Sequence, residues 1–288
     1  MNPRRALRPT FVTEPTDPRS STYSQPAPMT AQPDTRDNHC RALKNTEEPA
    51  VVTSAFEPRN HFLAALPASD LALVSGLMSF HRLPQGLVLQ EPEQRLEHAY
   101  FVESGMISLV ASMQDGAVIE TATLGREAIL GALAAFGSHR ATARAIVQVE
   151  ATAWRLPVAD LRNVVEQSPA LRKMALLSSE LMMAQMQQTA ACNALHSAER
   201  RLCRWIVQVQ DRIGDDVIRL THDFLAQMLA VRRPTVSLIA YQLQQAGMIR
   251  YQRGRIAVLD RGALERSACE CVGVLREKTL RIVNEAGF

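Results

Sequence analysis

No stretch of the chain holds 18 or more consecutive apolar residues, whereas a helix needs about 20 to cross a bilayer core. A membrane-spanning helix is therefore not expected. The first fifteen residues, MNPRRALRPTFVTEP, carry basic side chains but lack the apolar core of a secretory leader. Cysteine is scarce too: five in 288 residues, at positions 40, 192, 203, 269 and 271. An odd, scattered set without an export signal does not make a disulfide framework, so reduced thiols and a cytoplasmic location are expected. Charge is not lopsided either, with a formal net charge of +3. Also missing is any Ser-His-Asp or Cys-His set at interpretable spacing, the arrangement that activates a nucleophile. The sequence gives no reason to expect an enzyme.

What is present falls into five zones. Residues 1–57 are rich in Pro, Thr, Ser, Gln and Arg without an apolar period. Such a segment cannot bury enough surface to offset the entropy of ordering, and disorder is expected. Residues 58–166 open with a helix start at Pro67, Ser69 and Asp70 ahead of Leu71, Leu73 and Val74. Short segments with turn signals follow. Turns are expected at Gln85-Gly86 and Ser104-Gly105, a hairpin at Asp115-Gly116, and two strands within ATARAIVQVEATAWRLP. Six to eight short strands with tight turns and no intervening helix predict an antiparallel roll.

Residues 167–196 are helical. Leu171, Met174, Leu177, Leu181, Ala184, Gln188, Ala191 and Leu195 trace a 3-4 spacing. Such a stripe can belong to a core helix of its own chain or to a seam between two copies. The roll before it is compact and could not cover so long a stripe, so a second copy of the chain is the expected partner. Met182, Met183 and Met186 read as packing filler. Residues 197–262 hold a helix, an interrupted helical pattern and a hairpin at Arg253-Gly254. Residues 263–288 close the chain as an amphipathic helical tail. The expected class is α+β: an N-terminal antiparallel β-roll, a long dimerisation helix and a C-terminal winged helix-turn-helix.

The interruption carries the chemistry. LAQMLAVRRPTVSLIAYQL, residues 225–243, has helical periodicity that breaks at Val231-Arg232-Arg233-Pro234-Thr235, because proline inside a helix removes a bond and clashes one turn back. Leu225, Leu229, Val231, Val236 and Ile239 can share a core, with small Ala226 at the crossing. Ala230 stands in the turn, where glycine is usual. Pro234 falls in the first turn of the second helix, where its missing N–H is no loss. Short helix, turn, second helix and hairpin make a winged helix-turn-helix, whose second helix enters the major groove by its N-terminal end. From His222 to Arg261 there are six arginines against two acids, a local basic excess suited to DNA. Arg232 and Arg233 would reach phosphate or guanine edges and Thr235 and Ser237 phosphate or base, while Arg250, Arg253 and Arg255 would hold phosphate from the wing.

From about residue 60 to 282 the chain resembles the Crp/Fnr family of bacterial transcription regulators. The resemblance rests on HAYFVESGMISLV, on the long helix, and on LTHDFLAQMLAVRRPTVSLIAYQLQQAGMIRYQRGRIAVLD. It is strongest to members with a wing of the GLIRYxRGxIxxLD type and a tail carrying ACEC, here Ala268 to Cys271. This implies a cyclic-nucleotide-binding-type roll, a dimerising helix, double-stranded DNA and a second copy of the chain as partners, and a palindromic site. RNA polymerase would be a further partner of an activator.

The family's nucleotide pocket implies a Gly-Glu pair for the ribose and an Arg-Ser/Thr pair for the cyclic phosphate. In GALAAFGSHRATA the glycine is Gly131, but Ala132 replaces the acid; Arg140 can be the phosphate arginine, followed by Ala141. A degenerate pocket with an unknown or absent effector is expected. Only Cys40 lies near the N-terminus, so the family's iron–sulfur cluster is not expected there. Cys269 and Cys271, two apart on an assumed helix, would face different ways, so no metal and no cofactor is expected. At the reading end the best-known cAMP-binding members carry an Arg-Glu pair and a second Arg one turn on; here these are Arg233, Pro234 and Leu238, so a different half-site is expected. Two alternatives stand beside this reading: a nonspecific nucleic-acid binder using the basic hairpin, and a cupin-like roll enzyme, for which 83–156 offers only His98 and His139.

Overall fold

The computed structural model describes residues 50–51 and 56–287. A first sheet is built from β1 (Ala50–Val51), β2 (Ser79–Leu83), β3 (Val88–Gln90), β4 (His98–Ser112), β5 (Val118–Leu124), β6 (Ile129–Leu130) and β7 (Arg144–Pro157). Its order is β1-β2-β7-β4-β5, with β3 added to β7 and β6 to β4, all antiparallel. Short helices α1 (His61–Ala64) and α2 (Ala68–Ser75) precede β2, and α3 (Val158–Gln167) follows β7. Asn60 pins α1 to the roll: its Oδ1 accepts from the Phe62 and Leu63 amides, and its Nδ2 donates to the Val102 and Ala128 carbonyls.

Three expectations for this region are corrected. Ala50 and Val51 pair with Arg82 and His81, so at these two residues disorder is overturned; the rest of 1–49 and 52–55 lies outside the described residues. Ser104-Gly105 is not a turn. β4 runs straight through it with register shifts against β7, and Gly105 takes φ +76°, where a Cβ would collide with the Glu150 carbonyl. A bulge and close backbone approach, not a reversal, explain this glycine. Likewise ATARAIVQVEATAWRLP yields one long strand, β7, rather than two. Asp115-Gly116 does form the hairpin, with Gly116 at φ +83°.

The long helix α4 (Pro169–Leu195) starts where predicted, capped by Ser168, whose hydroxyl accepts from the Leu171 amide. Its stripe is shared differently from expectation. Leu171, Met174, Leu177 and Leu181 are buried against the chain's own roll, in one core with Phe101, Trp154 and Leu156, while Ala184 and Gln188 are half-buried. The apolar side chains left exposed on α4 include Leu176, Met183 and Leu195. The roll is larger than a count of short strands suggests, and it covers the first half of the stripe.

Beyond α4 come α5 (Ala198–Ile213), β8 (Val217–Arg219), α6 (His222–Leu229), α7 (Arg233–Gln245), β9 (Ile249–Gln252), β10 (Arg255–Val258), α8 (Arg261–Ser267) and α9 (Cys271–Glu285). The hairpin gains β8 as a third strand, in the order β8-β10-β9. Leu225, Leu229, Val236 and Ile239 sit in one buried core with Trp205 and Ile218, and Val231 packs on it. Burying each such aliphatic side chain is worth roughly 1.5–3 kcal/mol. The tail is not one helix: it breaks at Ala268–Glu270, where Ala268 is extended (ψ 164°). That break cancels the premise that Cys269 and Cys271 lie on a helix facing apart.

The roll and the C-terminal module meet through polar and apolar contacts. Arg212 of α5 donates from Nε and Nη2 to Glu127 Oε1 at 2.9 and 2.6 Å, and from Nη2 to the Thr123 carbonyl at 3.2 Å. Buried Glu120 accepts from Ser108 and from Trp205 Nε1. Met228 of α6 packs with Val110 and Ile146 of the roll.

Candidate nucleic-acid interface

The turn between α6 and α7 is built by Ala230, which adopts the left-handed conformation (φ 49°, ψ 48°), and its N–H closes onto the carbonyls of Ala226 and Gln227. This is the geometry glycine supplies without strain. α6 opens under a Thr221 cap, its hydroxyl accepting from the Phe224 amide. α7 opens differently. Arg232 occupies the cap position in an extended conformation with no side-chain cap bond, and Pro234 lies in the first turn. The N-terminal N–H groups of this helix are therefore not covered by a capping side chain, which suits an anion.

Arg232 and Arg233 are exposed or nearly so at this helix start. The Arg233 Nε lies 3.3 Å from Asp223 Oδ1, an ion pair between two largely exposed side chains. Such a pair is worth at most about 1 kcal/mol, so a phosphate or base edge can displace it. Thr235 lies on the same first turn. Ser237 turns inward, its Oγ 3.0 Å from His222 Nδ1. His222 in turn stacks on Tyr251 of β9, ring centroids 4.0 Å apart. Burial first, then Arg233, holds the His222 pKa below its ordinary value against the opposing pull of Asp223. Tyr251 closes the bracket, its amide donating to Gln244 Oε1 of α7 and its hydroxyl to the Leu220 carbonyl.

The wing turns at Arg253-Gly254, both residues at positive φ (49° and 73°), as a two-residue hairpin of the type I′ kind requires. Pairing fixes which side chains share a face. Arg255 lies opposite Gln252 on one side and Arg219 on the other, and Arg250 is two residues from Gln252. Directly opposed residues, and those two apart, point the same way. Arg219, Arg250 and Arg255 thus form one exposed basic face, with Ile256 buried on the other. Arg219 was missed by sequence reasoning because β8, three residues long, leaves no readable alternation. Leu238 and Tyr241, each 58% exposed on α7, were also not chosen; apolar side chains there can meet thymine methyl groups.

Gly131 and Arg140 line a common cleft of about 290 Å³ in the roll, closed from α4 by Met182 and Met186. Gly131 is left-handed (φ 84°), with the His98 carbonyl close to where a Cβ would sit. Ala132, at the position of the missing acid, is buried. No carboxylate side chain lines the cleft among the described residues. Arg140 Nη1 donates to the Glu93 carbonyl at 2.7 Å, so its guanidinium is already tied to the chain.

Two domain families match this sequence: a cyclic nucleotide-binding domain over residues 80–168 and a Crp-like helix-turn-helix domain over residues 200–267. Together, and in this order, they account for more than half of the chain. It belongs to the Crp/Fnr family. This Crp/Fnr protein is accordingly a DNA-binding transcription regulator of that type. Solved structures of the same fold include a Crp/Fnr-family transcriptional regulator from Eubacterium rectale (15% identity, TM-score 0.58, 70% of this chain and 94% of that one). Another is a CRP-family transcriptional regulator from Thermus thermophilus (20% identity, TM-score 0.56, 65% and 95%). A third is the c-di-GMP-responsive global regulator CLP of Xanthomonas campestris (14% identity, TM-score 0.56, 67% and 98%). At these identities the likeness is one of fold. A search of curated proteins gave no match. No helix among the described residues is long and apolar enough to cross a membrane.

Proposed function

We propose that this Crp/Fnr regulator binds a two-fold-symmetric DNA site as a homodimer, placing the N-terminus of α7 in the major groove. The observation that carries this reading is the uncapped, arginine-flanked start of α7, held by the His222–Tyr251 bracket beside the basic sheet face. Arg233, released from Asp223, would read base edges with Arg232, and Leu238 and Tyr241 would supply apolar contacts one and two turns further on. Arg219, Arg250, Arg253 and Arg255 would hold phosphates and set orientation. Thr235 remains a reading candidate, whereas Ser237 would act through His222, positioning α7 rather than touching DNA.

Dimerisation would use the face of α4 that its own roll leaves open, at Leu176 and Met183, seven residues apart. The roll cleft would not read a cyclic nucleotide in the family's usual way. It lacks a carboxylate to accept from the ribose hydroxyl, and Arg140 is engaged by the Glu93 carbonyl. Gly131 and Arg140 would then serve the loop's shape. The same reasoning favours a regulator over a roll enzyme, since among the described residues His98 and His139 belong to no group of three or more potential ligands.

Selection from a random DNA pool with the purified chain tests this. Enrichment of an inverted repeat with half-sites about one helical turn apart is expected, unchanged by added cyclic AMP. Salt-sensitive binding without any enriched sequence would mark a nonspecific binder and sink the reading.

A further inference from the structure

The three thiols that sequence reasoning left unassigned meet at one point. Cys192 lies in the last turn of α4, His196 is the residue that ends it, Cys269 sits within the break between α8 and α9, and Cys271 opens α9. Their three sulfurs and an imidazole nitrogen all lie within 4.8 Å of one another. Cys192 Sγ is 3.5 Å from Cys269 Sγ, and Cys271 Sγ is 3.6 Å from His196 Nδ1. An ion with bonds of about 2.3 Å to sulfur and about 2.0–2.1 Å to nitrogen holds tetrahedral ligands roughly 3.5–3.8 Å apart. We propose that Cys192, His196, Cys269 and Cys271 form a mononuclear, tetrahedral Cys3His site for a zinc-class divalent ion.

Two observations outside the ligand set point the same way. The far nitrogen of His196, Nε2, lies 3.1 Å from Glu270 Oε1. A ligating histidine is usually oriented in this manner, with a carboxylate on the nitrogen opposite the metal. The charge balance also asks for an anion. Arg201 and Arg204 are buried beside the thiols, and neither makes an ion pair with a carboxylate among the described residues. Glu120 faces Arg204 at longer range, which leaves Arg201 as the charge most in need of an anion. Three thiolates on a dication leave one net negative charge against these guanidinium groups, whereas three thiols leave none. Gln188 adds an N–H donated to Cys271 Sγ at 3.2 Å.

Ligand type narrows the ion. Thiolate and imidazole together select zinc or another soft-tolerant metal over magnesium or calcium. An iron–sulfur cluster would spread its thiolates around several atoms rather than gather them around one. A Cys192–Cys269 disulfide would need the sulfurs to close from 3.5 Å to about 2.05 Å. Cys203, buried elsewhere on α5, takes no part. A metal here would clasp the end of the long helix to the tail of the DNA-binding module, and Arg201 extends the clasp by donating to Asn193 Oδ1 and to the Leu229 carbonyl at the end of α6.

The test is the metal content of the full-length chain, purified under reducing conditions without chelator. About one zinc per chain is expected, and apoprotein given Co(II) should show tetrahedral visible bands with thiolate charge transfer. Cys269→Ser and Cys271→Ser should lose the metal while Cys203→Ser keeps it. X-ray absorption on the wild type, reading three sulfurs and one nitrogen, covers the case in which the variants fail to fold. Apoprotein that takes up no stoichiometric Zn(II) or Co(II) would overturn the proposal. Iron with acid-labile sulfide, or a Co(II) spectrum without thiolate bands, would overturn it equally. None of these readouts depends on DNA binding.

Discussion

Replacing Arg212 by Met keeps most of the side-chain length and removes the charge that faces Glu127. Both side chains are 13% exposed, and Arg212 also donates to the Thr123 carbonyl. Burial alone pushes the Glu127 carboxyl up; the Arg212 guanidinium overcomes this and leaves it below the ordinary value of 4.5. Without Arg212 the upward push dominates. The lone carboxylate cannot cost more than protonating it, which at pH 7 is about 2.5 units at roughly 1.4 kcal/mol each, or about 3.4 kcal/mol. Losing the Thr123 contact adds about 0.5–1.5 kcal/mol. Allowing for partial relaxation, Arg212→Met should lower stability by about 3 kcal/mol at pH 7, within the range known for half-broken buried pairs. The pH dependence is the sharper signature. In the wild type Glu127 contributes stability above pH 4.5 and loses it as pH falls through its lowered folded value. In the variant its folded value is raised, so stability rises as pH falls from 7. The gap should narrow between pH 7 and pH 5, by at most about 2.7 kcal/mol, the linkage ceiling for one proton over two pH units, followed by urea unfolding at each pH. A gap of the same size at both values would refute the reasoning, and Glu127→Gln combined with Arg212→Met should recover much of the loss.

Arg233→Ala should weaken binding to the selected site by about 1–3 kcal/mol and relax its sequence preference, whereas Arg255→Ala should weaken all sequences alike and reduce the salt slope by about 1; equal effects of the two in a binding titration would remove the distinction between reading and holding. Ala230→Gly relieves a left-handed alanine worth about 1–2 kcal/mol of strain against about 0.4–1 kcal/mol of added unfolded-state freedom, so thermal unfolding should show a small net stabilisation, and a clear loss would contradict the turn geometry. Because the His222 pKa is lowered on folding, its contribution is complete above its ordinary value of 6.5 and falls away as pH drops below that. His222→Gln should flatten this acid-side decline in melts between about pH 5 and 7.5, and an unchanged pH profile would show that the His222 bracket is not what titrates.

The C-terminal module was legible because its punctuation is local. A proline, a hairpin pair and five core positions lie within forty residues, and each imposes a conformation on its own neighbourhood. Gly105 misled for a related reason: a left-handed glycine inside a strand looks the same in sequence as one inside a turn, and only the crossing of β7 separates them. The α4 stripe was seen, but of its two possible owners the second copy was preferred for the whole length. Spacing shows that Leu171 to Leu181 need a partner, and the size of the roll decides that the partner is the chain itself. Arg219 was hidden by a strand too short to show alternation. The cysteine site was beyond reach, since Cys192 and Cys269 are 77 residues apart and a single extended residue, Ala268, decides whether the last two thiols converge.

Met228 carries one further consequence. It belongs to α6, the helix that braces the reading helix, yet it packs on Val110 and Ile146 of the roll. On the proposed reading, a change in the roll that shifts this seam would alter how readily α7 is presented to DNA. Linkage would then run in both directions by the same factor: if the roll takes a ligand, an occupied operator would tighten or loosen its hold on that ligand, and the DNA would itself act as an effector.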